Sequence, residues 1–240
     1  MINQLVLPDF AMQTNPQWRN FNSVIDLMGN HVFKINVQSY FDGIDWENDL
    51  TLSETEIAKS KRFHQNVDSM RFLVTRHAVR SLTSLFIKTD PANVVFTYND
   101  NGKPVVEGIS FNISHSGNYV LVALSSSPIG IDIELMSKTF DFENVVEFCF
   151  NEPEREKIKM AHNSREMFYT LWTRKEAILK ATGEGLVDDL LKINCLQKLF
   201  SRLNNNYMLL SWKLDHDYVF SLATTKINAN FKFWNYTPQI

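Results

Sequence analysis

The chain has 240 residues, 44% of them hydrophobic, with a formal charge of −3. That is enough apolar material for one large domain or two small ones, and the slight acidity argues against a general nucleic-acid binder, which carries a basic excess. Cys149 and Cys195 form no CxxC pair and have no clustered histidines, so neither a disulfide framework nor a zinc site is expected.

The opening residues lack a basic start and are broken by Pro8 and Asp9, so they do not read as a signal peptide. No apolar run is long enough to span a bilayer. The expectation is a cytoplasmic protein with no membrane or nucleic-acid partner. Residues 1–30 are weakly patterned and read as turns and short helix. Residues 31–37 alternate and read as a strand. Ser53 and Glu56 form a capping box that opens a helix to about residue 64. A longer helix, residues 67–87, carries Phe72, Leu73, Ala78, Val79, Leu82 and Phe86 on one side, and Pro91 closes that region. Residues 94–98 read as a strand, and Asn101-Gly102 marks a turn at 99–104. Strands follow at 110–114 and 119–124.

Residues 127–135, SPIGIDIEL, form the next strand. Alternation points Ile129, Ile131 and Ile133 one way and Gly130, Asp132 and Glu134 the other. Two carboxylates that close repel, so the pair wants a cation, and Mg²⁺ suits oxygen donors completed by water and phosphate. An edge strand with a solvated acidic face fits the same pattern.

Short helices are expected at 141–150 and at 152–161, the latter with Pro153 in its first turn. Ser164 is expected to cap the strongest helix, 165–181, which Gly183 closes. Strands complete the chain at 190–196, at 207–214 and 218–224 as a hairpin, and at 231–236. Both halves thus read as helices plus an antiparallel meander, which suggests two similar lobes. On the strong helix, Phe168, Leu171, Trp172 and Leu179 make a core stripe, while Tyr169, Thr173, Glu176 and Lys180 run along its margin. Glu176 and Lys180 could form an ordinary surface ion pair one turn apart, or add a third carboxylate and a phosphate-binding cation. Asn112, Ser114, His115 and Ser116 crowd one strand end and suit a phosphate or ribose. Lys59, Lys61, Arg62, Arg71, Arg76 and Arg80 on the two early helices could form a local basic pocket for an anion.

Taken together, N-G-K-P (101–104), F-N-I-S-H-S (111–116), G-I-D-I-E (130–134) and W-T-R-K-E-A-I-L-K (172–180) resemble the 4′-phosphopantetheinyl transferases of the Sfp type, in order and spacing from about residue 53 to about 186. The resemblance implies an α+β fold, a pseudo-dimer of two similar lobes in a monomeric chain, with coenzyme A between them. The lobes would be 1–126, carrying coenzyme A contacts, and 127–240, carrying metal and catalysis. It implies Mg²⁺-dependent transfer of phosphopantetheine from coenzyme A to a serine of an apo acyl or peptidyl carrier protein, releasing 3′,5′-ADP. By that resemblance Asp132, Glu134 and Glu176 would hold Mg²⁺. Lys180 would contact the pyrophosphate, and Ser114 and His115 coenzyme A phosphate. Lys103 and Pro104 would line the adenine pocket, and Arg71 would lie near the 3′-phosphate. Glu176 would take the serine proton, while Lys180 and His115 would absorb charge on the leaving group. Lys59 matches one of two lysines frequent in that family, whereas Glu56 stands at the place of the other. The first fifty or so residues are longer than the resemblance leads one to expect and receive no role.

A different Mg²⁺-dependent hydrolase of coenzyme A or of a nucleotide pyrophosphate, and a non-catalytic carrier-binding protein, are the rival readings. The segment after the acidic strand offers Phe140, Phe142, Val146, Phe148 and Phe150 as an apolar patch for the carrier, with Phe140 or Phe142 expected at the surface.

Overall fold

The computed structural model describes residues 12–22, 29–185, 187 and 189–238. In chain order these form β1 (Trp18–Asn20), β2 (Asn30–Asn36), α1 (Val37–Asp42), α2 (Glu54–Ser60), α3 (Asn66–Ile87), β3 (Thr97–Tyr98), β4 (Pro104–Val105), β5 (Ser110–Ser116), β6 (Tyr119–Ser125), β7 (Ile129–Leu135), α4 (Glu143–Cys149), α5 (Glu152–Met160), α6 (Ser164–Thr182), β8 (Leu199–Arg202), β9 (Asn205–Leu214), β10 (Tyr218–Thr224) and β11 (Phe231–Asn235). No described helix is long and apolar enough to cross a membrane.

The chain divides into two compact units, each a long helix on a sheet, which makes the fold α+β. The units are not the two halves of the chain. One comprises Gln17–Ser127 with Asn230–Ile240, the other Met1–Pro16 with Pro128–Ala229. The expected lobes 1–126 and 127–240 therefore exchange their ends. The physical reason is strand pairing: β11 runs parallel to β2 on one side and to β1 on the other. At the other end, Gln13 N–H donates to the Ser211 carbonyl at 2.9 Å.

The unit around α3 has a mixed five-stranded sheet, β1-β11-β2-β6-β5, rather than the purely antiparallel one expected. Val74, Ala78, Val79 and Leu82 of α3 share its core with Phe33, Ile35, Val120, Val122 and Phe111 of the sheet. The Ser53–Glu56 capping box opens α2 as the sequence indicates, with both reciprocal hydrogen bonds made. The strand expected at 94–98 is only two residues long. Pro91–Asn93 form a 3₁₀ turn, and the Val94 carbonyl accepts from Arg80 Nη1 at 3.0 Å rather than from a neighbouring strand.

The other unit has the antiparallel sheet β7-β10-β9-β8, with α6 lying across it. The cap of α6 is Asn163, whose side chain accepts from Glu166 N–H, so Ser164 is the first helical residue and not the cap. The helix ends in left-handed Gly183, which donates back to the Leu179 carbonyl at 2.9 Å. The strand expected at 190–196 is instead a 3₁₀ turn, Leu190–Lys192, followed by a loop. Two buried cations of α6 hold that loop. Arg174 donates to the carbonyls of Cys195 (2.7 Å) and Gln197 (2.6 Å). Lys175 donates to the carbonyls of Leu190 and Ile193 and pairs with Glu154 Oε2 at 2.8 Å, both partners fully buried.

The approach of α6 to β7 is set by one residue. A methyl group placed on Gly130 would lie 2.0 Å from the Ala177 carbonyl oxygen and 2.4 Å from Ala181 N. Both contacts are helix backbone, which cannot rotate away. We expect Gly130→Ala to lower the unfolding free energy by at least the ~1–3 kcal/mol of an overpacked core, measured by urea denaturation. An unchanged midpoint would show that α6 does not need this close seat.

Candidate functional site

Helix α6 covers the face of β7 that carries Gly130, Asp132 and Glu134, so that face is not solvated. Asp132 is 3% exposed. Its Oδ1 accepts from Lys180 Nζ at 2.6 Å. This ion pair of Lys180 runs from helix to strand. The margin of α6 read from the sequence lies along this strand face. Thr173 Oγ1 meets Ser221 Oγ at 2.8 Å, and Ser221 is the cross-strand neighbour of Asp132. Tyr169 accepts from Ser137 N–H at 3.2 Å and feels the charge of Glu134.

Glu176 is half-buried. Burial first, and then the charge on Asp132, push its carboxyl above the usual carboxylate range, while Lys180 pulls the other way. This mutual repulsion shows that Asp132 and Glu176 share one electrostatic neighbourhood. Among the described residues, no group of three or more His, Cys, Asp and Glu side chains stands close enough to hold a metal ion, so Asp132, Glu134 and Glu176 are not gathered as a trio. Asp132 and Glu176 are oxygen donors of the kind Mg²⁺ takes, and that ion needs only one or two carboxylates beside water and phosphate oxygens.

In the other unit the expected contacts separate into three places. On β5 alternation puts Asn112, Ser114 and Ser116 on one face, the first two buried, and His115, exposed, on the opposite one. Arg71 Nη1 pairs with Asp68 at 2.9 Å, and its Nη2 donates to the Gly117 carbonyl at 3.3 Å, at the turn that follows His115. The Asn99–Lys103 turn is closed by Asn99 Oδ1, which accepts from Lys103 N–H at 2.8 Å. Burial lowers the Lys103 ammonium to about 8. Pro104 and Lys59 line a cavity of about 610 Å³ together with Glu56, Phe72, Arg76 and Phe96. Glu56 accepts from Arg76 Nε at 2.6 Å and Arg80 Nε at 2.8 Å. Sequence reasoning placed Glu56 only in a capping box and at the position of an absent lysine. It missed the ion pairs because they span 20 and 24 residues.

Two family models match the chain in tandem: the N-terminal domain of 4′-phosphopantetheinyl transferases over residues 45–127, and the 4′-phosphopantetheinyl transferase superfamily over residues 128–223. The 4′-phosphopantetheinyl transferase HetI of Nostoc sp. (strain PCC 7120) is 31% identical over 198 residues, 78% of this chain and 84% of that protein. The transferase Sfp of Bacillus subtilis (strain 168) is 35% identical over 140 residues, 56% of this chain and 62% of that one. The transferase gsp of Aneurinibacillus migulanus is 38% identical over 122 residues, 50% and 51% of the two chains. The chain belongs to the 4′-phosphopantetheinyl transferase family, and it is an enzyme of that type.

The raised carboxyl of Glu176 has a consequence for stability. A carboxyl titrating higher in the folded state stabilises the fold at acid pH and loses that contribution as pH rises through its folded value. Glu176→Gln should therefore raise the thermal midpoint at pH 7, and the gain should vanish below about pH 4, where both forms are neutral. A gain that is the same at both pH values would contradict this origin.

Proposed function

We propose that this chain transfers the 4′-phosphopantetheine group of coenzyme A to a serine of an apo acyl or peptidyl carrier protein, with Mg²⁺, releasing 3′,5′-ADP. The observation that carries the reading is the seat of α6 on Gly130, where Lys180 binds Asp132 and Glu176 shares its charge field. Such an arrangement suits phosphoryl transfer, which depends on positioning and charge neutralisation more than on covalent catalysis. A hydrolase of the same pyrophosphate is the rival reading, and it would release product without a protein acceptor.

In the proposed reaction the serine Oγ attacks the phosphorus that bears the pantetheine arm. The bond from that phosphorus to the bridging oxygen of the pyrophosphate breaks. The serine proton passes to Glu176, directly or through water, and the electron pair of the broken bond stays on 3′,5′-ADP. A carboxyl held above its usual range is better matched to that proton than an ordinary one. Asp132 and Glu176 would hold Mg²⁺, with Glu134 as a third donor on the same strand face. When bound, the metal supplies charge neutralisation for both phosphates. Lys180 and His115 are assigned to the charge that grows on the leaving group. Lys59, Arg71, Lys103, Pro104 and Ser114 are assigned to the remainder of coenzyme A.

The carrier is assigned to the segment at 140–150. Phe140 and Phe148 are exposed, 43% and 77%. Phe142, in contrast, stacks on Phe168 with ring centroids 4.6 Å apart, and Phe150 is fully buried. An exposed aromatic pair can anchor a partner where long-range attraction between two acidic proteins is weak.

The decisive assay incubates the protein with apo carrier, coenzyme A and Mg²⁺ and reads the phosphopantetheine adduct by intact mass. Mg²⁺ should raise the thermal midpoint of the unsubstituted protein, and Asp132→Asn, which keeps the shape of a buried site, should abolish both that rise and the adduct. Adduct formation at the original rate would refute the assignment of Asp132. Replacing Phe140 and Phe148 together by serine should raise KM for the carrier and leave KM for coenzyme A unchanged. An unaltered carrier KM, with the fold intact by circular dichroism, would place docking elsewhere.

A further inference from the structure

Asp132 belongs to a row of polar side chains that crosses three strands. Ser221 of β10 lies directly opposite Asp132 of β7, and Ser211 of β9 lies directly opposite Ser221. The row faces α6, because Lys180 meets Asp132 at 2.6 Å and Thr173 meets Ser221 at 2.8 Å. The close seat of the helix on Gly130 lets such short side chains touch across helix and sheet. Thr173, Ser211 and Ser221 are fully buried, so a hydroxyl left unmatched there is costly. None of these three hydroxyls has a part in the proposed reaction.

The direction of every proton in the row is fixed by its two ends. Arg174 Nη1, which can only donate, gives a hydrogen bond to Ser211 Oγ at 3.1 Å. Ser211 Oγ and Ser221 Oγ are 2.9 Å apart. Thr173 Oγ1 lies 3.0 Å from the Thr170 carbonyl, which can only accept. Each hydroxyl has one proton, so all of these bonds are made in one way alone. Ser211 donates to Ser221, Ser221 to Thr173, and Thr173 to the Thr170 carbonyl. The reverse order would leave the Ser211 proton facing an arginine. A chain with one direction also strengthens each of its bonds. For the site, the result is that Ser221 aims its only proton at the helix and not at the carboxylate beside it. Directly opposite residues have Cβ atoms about 4.5–5.5 Å apart, so a serine that loses its acceptor on the helix can turn to an aspartate on the next strand.

We propose that Thr173 is a positioning residue for the Mg²⁺ site: by accepting the Ser221 proton it keeps that hydroxyl off Asp132, whose oxygens stay with Lys180 and the metal. This rests on the reading of Asp132 as a metal ligand and adds the residue that keeps the ligand available. A hydrogen bond from Ser221 would compete with a cation for the lone pairs of the carboxylate. The requirement at position 173 is therefore an oxygen on a short side chain, and volume alone does not meet it. Arg174 acts from the far end of the row, where its fixed donor sets the direction that Thr173 completes.

The test is calorimetric titration of Mg²⁺ into the full chain with saturating coenzyme A, with the fold of each variant checked by circular dichroism. Thr173→Val keeps the shape of the side chain but removes the acceptor for Ser221. Its Kd for Mg²⁺ should rise by roughly tenfold, the worth of one hydrogen bond to a charged group. Thr173→Ser keeps the oxygen and should stay near the unsubstituted value. Thr173→Val combined with Ser221→Ala leaves no hydroxyl to turn on Asp132, and it should recover the affinity although it carries a second lesion. A purely structural role for Thr173 predicts the opposite order, with the double variant weakest. That order, an unchanged Kd in Thr173→Val, or an equal loss in Thr173→Ser would overturn the proposal. Asp132→Asn separates this from the underlying reading. If Asp132→Asn binds Mg²⁺ as tightly as the unsubstituted protein, or the unsubstituted protein binds none, both fail. If Asp132→Asn weakens binding and Thr173→Val does not, the metal ligand stands and the role of Thr173 does not.

Discussion

The contact between the backbone of α6 and the bare Cα of Gly130 governs the acidic unit. Helices ordinarily rest on sheets through side chains on both surfaces. Here one residue presents none, and Ala177 and Ala181 come down on it. Because the two backbones are so near, a lysine in the last helical turn can reach an aspartate on the strand at 2.6 Å. The same nearness takes Asp132 out of water and brings the charge of Glu176 within its influence.

A second theme is the use of buried cations to hold backbone. Arg80 in one unit, and Arg174 and Lys175 in the other, each donate to carbonyls of a nearby loop. Each has a polar partner in the interior as well: Glu56 for Arg80, Ser211 for Arg174 and Glu154 for Lys175. Removing one member of the fully buried Lys175–Glu154 pair leaves an unpaired buried charge, a loss of about 3–5 kcal/mol. Their arrangement specifies where the loops run more than it adds net stability. In the signature around α6, Arg174 and Lys175 are thus framework, and it is their neighbours Glu176 and Lys180 to which the proposed reaction assigns roles.

That division explains what the sequence could and could not reveal. Local signals were legible: the Ser53–Glu56 box, the Asn101-Gly102 turn, the hairpin of β9 and β10, and the glycine that ends α6. The strands expected at 94–98 and 190–196 were not, because apolar alternation cannot tell a carbonyl bound by a neighbouring strand from one bound by a buried arginine or lysine. Strand β1 was missed for a related reason: three residues carry no period, and its partner is more than two hundred residues away. The site was legible as residue types. The strand face of Asp132 and the helix margin of Glu176 and Lys180 were both visible, but not that one would cover the other. The pairing of Glu56 with Arg76 and Arg80 needed the packed helices to be seen.

The place of β11 has a further consequence, one for synthesis. This strand, near the end of the chain, lies between β1 and β2 in a sheet whose other members precede residue 126. While the chain emerges from the ribosome, that sheet has a gap until residues 231–235 are free, and the edges of β1 and β2 stay open. The unit that holds β2 to β6 is therefore completed only after β11, whereas the four strands β7 to β10 can pair as soon as Ala229 is out. Domains that emerge whole can fold in the order they are made. Here the order is inverted, and a chain broken off before residue 231 lacks an internal strand of that sheet.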